Sequence, residues 1–191
     1  MKKKIGVYLA VATSVVALML FVGESWGHIP PDTVFTEGRM TGGGSIFTDE
    51  EDFFVPPGTR VTHGFQLQCD VTLKPNNLQV NIHLPRGDGG RFHLDELVAA
   101  LCWDDETTDP HPPSAPFDHY WGSGTGRFNG EAGYCADWMF TDLGEPGTED
   151  RIEWLRIWHC ETEEFVFSVL REPGHPLTFG NHQAHRRTGR K

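Results

Sequence analysis

The chain has 191 residues, of which 27 are acidic and 16 are basic, so its formal net charge is −11. A surface this acidic repels phosphate backbones, and the composition therefore argues against a nucleic-acid-binding protein. The length is sufficient for one domain with a sizeable hydrophobic core.

Residues 1–27 have the three parts of a secretory signal peptide. A lysine-rich start precedes an apolar run over residues 5–22, and the small residues Ser25 and Gly27 follow. We predict cleavage between Gly27 and His28, which makes the protein secreted, either extracellular or periplasmic, with no stable membrane span. An uncleaved anchor is the alternative, because the apolar run is near the lower length limit for crossing a bilayer.

The composition after the leader divides the rest of the chain into three parts. Residues 28–44 are rich in Gly, Pro and Thr and are predicted to form an extended arm. Residues 45–185 are predicted to form a single β domain that begins with a strand near Ser45–Phe47. Residues 186–191 are a basic tail, interpreted as a frayed polar end; contact with an acidic partner is the alternative.

The clearest pattern lies in the first half of the domain. Apolar and polar residues alternate over Phe65–Val71 and again over Leu78–Leu84, on either side of a Pro75–Asn77 turn. A period of two on both sides of a turn predicts a β-hairpin with one buried face. The same alternation places Cys69 on the buried face.

The remaining segments are less regular. Residues 91–103 fit both a helical face and a strand, and residues 104–116 are predicted to be a long proline-rich loop. Residues 122–133 are glycine-rich and predicted to lead into a strand through a turn. In the strand that follows residue 150, Ile152, Trp154 and Trp158 are predicted to share one face, opposite Leu155 and Ile157.

Many short strands separated by Gly/Pro turns predict the fold class. We expect an all-β protein, an antiparallel β-sandwich or a partly open barrel of short strands, stapled by disulfides. The four cysteines, an even number in a chain predicted to be exported, indicate two disulfides and allow three pairings. We favour Cys69–Cys102 and Cys135–Cys160, because each closes a moderate loop without crossing the other.

Several motifs in a set order give a resemblance. They are Arg60–Phe65, Pro75–Leu78, Arg91–Leu94, Cys102–Asp105, Gly122–Gly130, Phe140–Gly147 and Gly180–His185. Together they resemble a small domain of exported bacterial proteins, often C-terminal in longer surface chains, over roughly residues 40–185. The resemblance implies a secreted β-sandwich-like module without an established activity, so no catalytic residue carries over. Counterparts of Cys69 and Cys102 in that domain agree with the first pairing, whereas Cys135 and Cys160 depart from it.

Carboxylates cluster in the proline-rich loop and form the candidate metal site. They are Asp104, Asp105, Asp109 and Asp118. Calcium prefers several oxygen ligands, so a calcium site is one hypothesis, although the spacing does not match an EF-hand. We favour a solvated acidic loop and no cofactor.

The histidines suggest a second metal hypothesis. His28, if it becomes the N-terminus, has an amine and a ring that together chelate copper, as in secreted polysaccharide oxygenases. His111 and His119 flank the acidic loop, and His182 and His185 are close in sequence. No His-Glu-x-x-His run occurs, and we interpret most of these residues as surface or hydrogen-bonding groups.

Aromatic residues are the candidates for ligand binding. Trp138 and Trp154 fall on alternating patterns and are predicted to be core. Tyr120 and Trp121 precede a glycine-rich stretch and are predicted to be exposed, where their rings would stack on sugars.

The functional hypothesis from the sequence is a non-catalytic exported structural or adhesion module of the cell surface or extracellular matrix. The partner would be a glycan or a surface protein. A carbohydrate-binding module is the first alternative, and a metal-dependent secreted enzyme is the second. No nucleophile elbow, phosphate loop or dinucleotide motif occurs, so the sequence predicts no enzyme.

Overall fold

The computed structural model describes residues 36–52, 54–105, 115–147 and 149–187. The predicted leader, residues 28–35 of the predicted arm and the last four residues lie outside this part of the chain, as do His28, Asp109 and His111. Among the described residues, no helix is long and apolar enough to cross a membrane.

Nine β-strands make up most of the described chain, which contains no helix. They are β1 (Gly38–Phe47), β2 (Arg60–Gln68), β3 (Asn77–His83), β4 (Gly90–Trp103), β5 (His119–Phe128), β6 (Glu131–Thr141), β7 (Arg151–His159), β8 (Phe165–Pro176) and β9 (Phe179–Arg186). All of them belong to one antiparallel sheet in the order β8-β7-β6-β5-β4-β3-β2-β1-β9, which curls into a half-barrel. The predicted all-β class is confirmed in its partly open barrel form, because a single continuous sheet replaces the two sheets of a sandwich.

The two edges of this sheet are joined by the chain itself. β8 pairs only with β7 and β9 only with β1, yet just Leu177 and Thr178 separate β8 from β9. The Leu177 N–H donates to the carbonyl of Asp150 (2.8 Å), and the Thr178 N–H donates to the carbonyl of Ser45 in β1 (2.8 Å). The chain therefore crosses from one edge of the sheet to the other at these two residues.

The core fills the inside of the curl, and the predicted hairpin contributes much of it. Phe65 and Leu67 of β2 are buried beside Leu78, Val80 and Ile82 of β3. Their polar neighbours point to the outer face, as the period of two requires. The predicted alternation is confirmed within β2 and β3, whereas Cys69, Val71 and Leu84 lie beyond the strand ends and are only partly buried against the core.

The ambiguous segment 91–103 is a strand whose bulges imitate a helical spacing. The pairing of β4 with β5 shifts register between Leu94 and Glu96 and again between Leu97 and Ala99. Each bulge adds one residue to β4, so the next side chain that points inward is three residues along the strand instead of two. The buried residues Leu94 and Leu97 are therefore three apart within a strand, a spacing that sequence reasoning assigns equally to a helix.

A bulge also overturns the predicted faces of β7. The pairing of β7 with β8 shifts register between Ile152 and Trp154. Beyond this shift the inward positions are Leu155 and Ile157, so both lie buried on the same side as Ile152. Trp154 is turned to the outer face and half-buried there, and its predicted place in the core was wrong.

The glycine-rich segment forms most of strand β5, and the predicted turn is confined to Asn129 and Gly130, which lead into β6. Gly122 lies opposite Trp138 of β6, and a Cβ atom on Gly122 would be only 2.6 Å from Cζ2 of the indole. A Cβ atom on Gly126 would meet Cζ of Phe92 at 2.8 Å. These glycines leave the space that the fully buried rings of Trp138 and Phe92 occupy.

The predicted arm is also shorter than expected, because β1 begins at Gly38 instead of near Ser45. Its central residues Gly42–Gly44 have low strand propensity, but they pair with β2 on one side and with β9 on the other. Backbone hydrogen bonds to β2 and β9 therefore hold this segment in the sheet, although glycine has a low propensity for strands.

Both favoured disulfides are present, and no described cysteine is free. The Cα atoms of Cys69 and Cys102 are 5.7 Å apart, and those of Cys135 and Cys160 are 5.1 Å apart, within the ordinary range. β3 pairs only with the first residues of β4, so the Cys69–Cys102 bond joins β2 to the part of β4 that β3 does not reach. Cys135–Cys160 joins β6 to the end of β7.

Two alanine substitutions of strand glycines test this packing. Gly122→Ala places a methyl group against the Trp138 ring and is expected to lower the free energy of unfolding by about 1–3 kcal/mol. Gly64→Ala is the matched control, because a Cβ atom there has nothing within 4 Å and Gly64 does not have a positive φ. It is expected to raise the same free energy by about 0.5–1 kcal/mol. Urea unfolding measures both, and changes of equal sign and size would contradict the close contact at Gly122.

Candidate functional site

The densest group of chemically capable side chains lies inside the curl, next to β1. His63 of β2 and His182 of β9 contact each other through their Nε2 atoms at 2.7 Å. They flank β1, where His63 lies opposite Gly44 and His182 opposite Gly42. Because these two positions of β1 carry no side chain, the two rings meet across the strand that separates them.

Hydrogen bonding assigns the proton positions of this histidine pair. Nδ1 of His182 is 3.0 Å from the carbonyl oxygen of Thr141, which only accepts, so Nδ1 carries the hydrogen. In the neutral ring, Nε2 of His182 is then an acceptor, and Nε2–H of His63 donates to it. Nδ1 of His63 is left as a buried lone pair without a hydrogen-bond partner among the described residues.

Burial keeps both rings neutral. His63 is 6% exposed and His182 is 1% exposed. Burial lowers the pKa of His182 to about 4, although its hydrogen bond to Thr141 acts in the opposite direction. Burial, and then the neighbouring His182, hold the pKa of His63 well below its ordinary value.

Phenyl rings pack around the pair. The rings of Phe65 and Phe140 stack with centroids 4.5 Å apart, and the ring of His63 stacks on Phe140 at 5.2 Å. The edge of the His182 ring faces Phe65 at 5.2 Å. The imidazoles are therefore part of the aromatic core rather than of an open cleft.

Two buried carboxylates complete the group, and they bind the unpaired side of β9. Asp150 accepts the backbone N–H of His182 at 2.6 Å, and Asp142 accepts that of Ala184 at 2.7 Å. Their other oxygens accept the N–H groups of Leu143 (2.8 Å) and Gly144 (2.9 Å) in their own loop. The loop between β6 and β7 thus satisfies edge N–H groups that no strand pairs with.

Burial disfavours the charged form of both carboxyl groups. It raises the pKa of Asp150 to about 7, although the two backbone N–H donors act against this shift. Burial likewise raises the pKa of Asp142.

The loop between β1 and β2 contacts the unpaired side of β8 in a similar way. His175 of β8 contacts the buried carboxylate of Asp52 through Nε2 at 2.9 Å. Arg171 of β8 donates to Asp49 at 2.6 Å, and the ring of Phe54 lies 5.8 Å from that of Phe165. Side chains of two loops therefore contact both unpaired edges of the sheet.

This inner group joins elements of the fold. Both carboxylate oxygens of Asp142 and both of Asp150 accept a backbone N–H. The histidine pair is enclosed by aromatic rings. The carboxylates join β9 to the loop between β6 and β7, and the histidine pair joins β9 to β2. We call it the closure cluster, consisting of His63, His182, Thr141, Asp142 and Asp150.

The other histidine candidates do not converge. His182 and His185 are three residues apart in a strand and so point to opposite faces; Nε2 of His185 lies 2.8 Å from Oγ1 of Thr41. His119 is buried, where its Nδ1 donates to Asp118 at 2.6 Å and its ring stacks on Trp103 at 5.2 Å.

The carboxylates of the predicted acidic loop also separate. Asp118 is buried and accepts the backbone N–H of Asp105 at 3.0 Å, so it is not part of a solvated surface. Asp104 is exposed, and Asp109 lies outside the described residues. Within the described ranges no three His, Cys, Asp or Glu side chains are grouped as metal ligands. The calcium and copper hypotheses stay predictions.

Of the two aromatic ligand candidates, Tyr120 was predicted wrongly. Its side chain is fully buried, and its hydroxyl donates to the carbonyl of Gln68 at 2.9 Å. The reason is register: Tyr120 lies opposite Cys102 and shares its inward face, whereas Trp121 lies opposite Leu101 and points outward. Trp121 is half-buried on the outer face, and Trp138 is core as predicted.

A groove lies on the outer face of β2, β3 and β4. It has a volume of about 600 Å³ around Gly64 of β2. Polar side chains of β2, β3 and β4 line it: Thr62, Gln66, Asn77, Gln79, Asn81 and His93. Sequence reasoning assigned Gln66, Gln79 and Asn81 to the solvent side of the hairpin and missed the groove; the signal was that amides occupy these three positions.

Nuclear magnetic resonance tests the histidine assignment. We expect long-range ¹H–¹⁵N spectra to show His182 protonated on Nδ1 alone and His63 on Nε2 alone, unchanged between neutral pH and about pH 5, because burial disfavours the charged form. The urea-unfolded chain is the control, since its histidines titrate near 6.5. A ring protonated on both nitrogens above pH 5 would contradict the buried neutral pair.

His182 and Asp150 make the free energy of unfolding depend on pH in opposite directions. Between the folded pKa of His182, about 4, and the ordinary value of 6.5, the unfolded chain binds more protons. The contribution of His182 to stability therefore decreases as the pH falls through that window. Asp150, with a folded pKa of about 7 and an ordinary value of 3.8, binds more protons when folded, so its contribution decreases as the pH rises through 7.

Replacing Asp150 tests the edge contacts. Asp150→Asn turns one of the two acceptors into an NH₂ group that faces a backbone N–H, so we expect the free energy of unfolding to fall by about 1–3 kcal/mol. The control is Glu145→Gln in the same loop, an exposed residue that keeps its acceptor for Asn181, with an expected change under about 0.5 kcal/mol. Thermal or urea unfolding measures both; equal losses would show that Asp150 does not hold the edge.

Comparison with family models, with curated proteins and with solved structures gives no match. The resemblance to a domain of exported bacterial proteins therefore stays a prediction. Two of its motifs, Phe140–Gly147 and Gly180–His185, contain most of the closure cluster.

Proposed function

We propose that this chain is an exported, non-catalytic adhesion module that binds its partner through the outer face of β2–β5. The observation that carries the proposal is a difference between the side chains on the two faces of the sheet. The histidines and carboxylates of the closure cluster point inward and are hydrogen-bonded, whereas the outer groove presents uncharged amides to solvent.

The covalent framework supports the same function. Two disulfides are typical of proteins that fold in an oxidising compartment, in agreement with the predicted signal peptide. Cys69–Cys102 joins β2 to β4, the strands on either side of β3, and so restrains the sheet that carries the groove. A rigid surface loses little entropy on binding, which suits a module that holds a partner without changing it.

Sedimentation with the surface material of the cells that secrete the protein tests this function. We expect the oxidised, labelled protein to bind saturably to isolated envelopes or extracellular matrix, because the folded outer face is the binding surface. Protein that has been reduced, alkylated and unfolded is the control and is expected to remain in the supernatant. Mass spectrometry of the incubated material is expected to show no new products.

Two results would refute the proposal. Failure of the folded protein to sediment with either fraction would argue against adhesion. Time-dependent release of soluble fragments from the material would instead indicate an enzyme.

A further inference from the structure

We infer that the outer groove around Gly64 binds a neutral oligosaccharide through its amide side chains. This inference rests on the proposed function and specifies the chemistry of the partner. We refer to this surface as the amide groove; it comprises the polar residues around Gly64 together with its extension toward β5.

The shape of the amide groove suits an elongated ligand. Its first part, about 600 Å³ around Gly64, continues into a second part of about 500 Å³, and both are lined by Gln79 and His93. The second part reaches Arg127 of β5, so the groove crosses the strands from β2 to β5. Three interstrand spacings correspond to about 14 Å, longer than a single sugar ring needs.

Glycine creates the depth of the groove. Gly64 lies directly opposite Gly43 of β1 on one side and opposite Gln79 of β3 on the other. A Cβ atom on Gly64 would have nothing within 4 Å, so the backbone itself forms the floor there. The longer polar side chains on the flanking rows form the walls.

The chemistry of the walls matches hydroxyl groups. Gln66, Asn77, Gln79 and Asn81 each offer two N–H donors and one carbonyl acceptor, and Thr62 adds a hydroxyl. A sugar hydroxyl is both donor and acceptor, so each amide satisfies it in either role. A phosphate or sulfate group requires cations, which this part of the groove does not carry, and the net charge of −11 further disfavours a polyanion.

The far end of the groove carries charges of both signs. Nε of Arg127 donates to Asp95 at 3.0 Å, and Arg91 lies nearby. The Arg127–Asp95 pair is neutral as a whole and leaves Arg91 as one uncompensated cation among the described residues at this end, within a chain whose net charge is −11. This end supplies further donors and an acceptor for the last sugar rings.

Neighbouring side chains partly order the amides before any ligand binds. Nε2 of Gln79 donates to Oδ1 of Asn81 at 3.4 Å, and Nδ2 of Asn81 donates to Oγ1 of Thr62 at 3.4 Å. These side chains lie on the paired strands β2 and β3. Preorganised side chains reduce the entropy lost on binding.

The tryptophans of the outer face are the competing location for a sugar. Trp121, Trp154 and Trp158 are half-buried on the outer face of β5 and β7, away from the amide groove. None of the described tryptophans lines either part of the amide groove, and the ring of Trp158 already packs against Phe165 at 5.8 Å. We therefore place the ligand at the amides and treat the tryptophans as an outcome of the test.

Calorimetry on the full secreted chain tests the inference. The probes are linear oligosaccharides of glucose, of mannose and of N-acetylglucosamine, with an oligogalacturonate as the acidic comparison. We expect at least one neutral probe to bind, and to bind more tightly than the acidic one. Gly64→Leu fills the groove floor without removing a hydrogen-bonding side chain and is expected to weaken binding at least tenfold with little change in melting temperature.

Two further variants separate the explanations. Gln66→Ala combined with Gln79→Ala keeps the groove open but removes two amides, and it is also expected to weaken binding at least tenfold. Trp158→Leu is the control on the opposite part of the outer face and is expected to bind like the wild type. Preserved melting temperatures show that each variant is folded.

The results distinguish the inference from the proposed function. If no neutral probe binds, or if only Trp158→Leu weakens binding, the inference is overturned. If Gly64→Leu and the wild type both still sediment with the surface material, adhesion stands while the amide groove is excluded as its site. If neither sugars nor surface material bind, both proposals fail.

Discussion

The structure depends on how the open edges of one curled sheet are satisfied. A strand at an edge leaves N–H groups without partners, and buried N–H groups of this kind are costly. Here the carboxylates of Asp142 and Asp150 accept the N–H groups of Ala184 and His182 on the free side of β9. Together with the crossing at Leu177 and Thr178, these bonds join the last strand to both β1 and the loop that precedes β7.

Other features of the interior follow from this closure. β9 pairs with β1, and the glycines of β1 allow His182 to reach His63 on the far side of that strand. The ring of His182 also donates to Thr141, at the end of β6. One neutral histidine therefore links β9, β2 and β6 inside an aromatic core, where a charged or larger side chain would not fit.

Closure of the sheet also separates the side chains that form hydrogen bonds within the fold from those that face solvent. Histidines and aspartates are residues from which an active site would first be expected; those of the closure cluster form hydrogen bonds within the fold, and Nδ1 of His63 is left without a partner among the described residues. The accessible chemistry lies on the other face, where amides surround a floor of glycine. The same glycine-rich segment of β1 thus serves both faces: Gly42 and Gly44 admit the histidine pair, and Gly43 lies beside Gly64 at the groove.

The sequence by itself determined the features that depend on local periodicity and on chain proximity. The β2–β3 hairpin follows from strict alternation, and the two disulfide pairings follow from moderate, non-crossing loops. Only the tertiary structure decided the faces of Trp154 and Leu97, because a bulge adds one residue and reverses the alternation without leaving a signal in composition. It alone also decided that Tyr120 points inward and that Asp142, Asp150 and His182 meet, since curling of the sheet brings together residues that are distant in the chain.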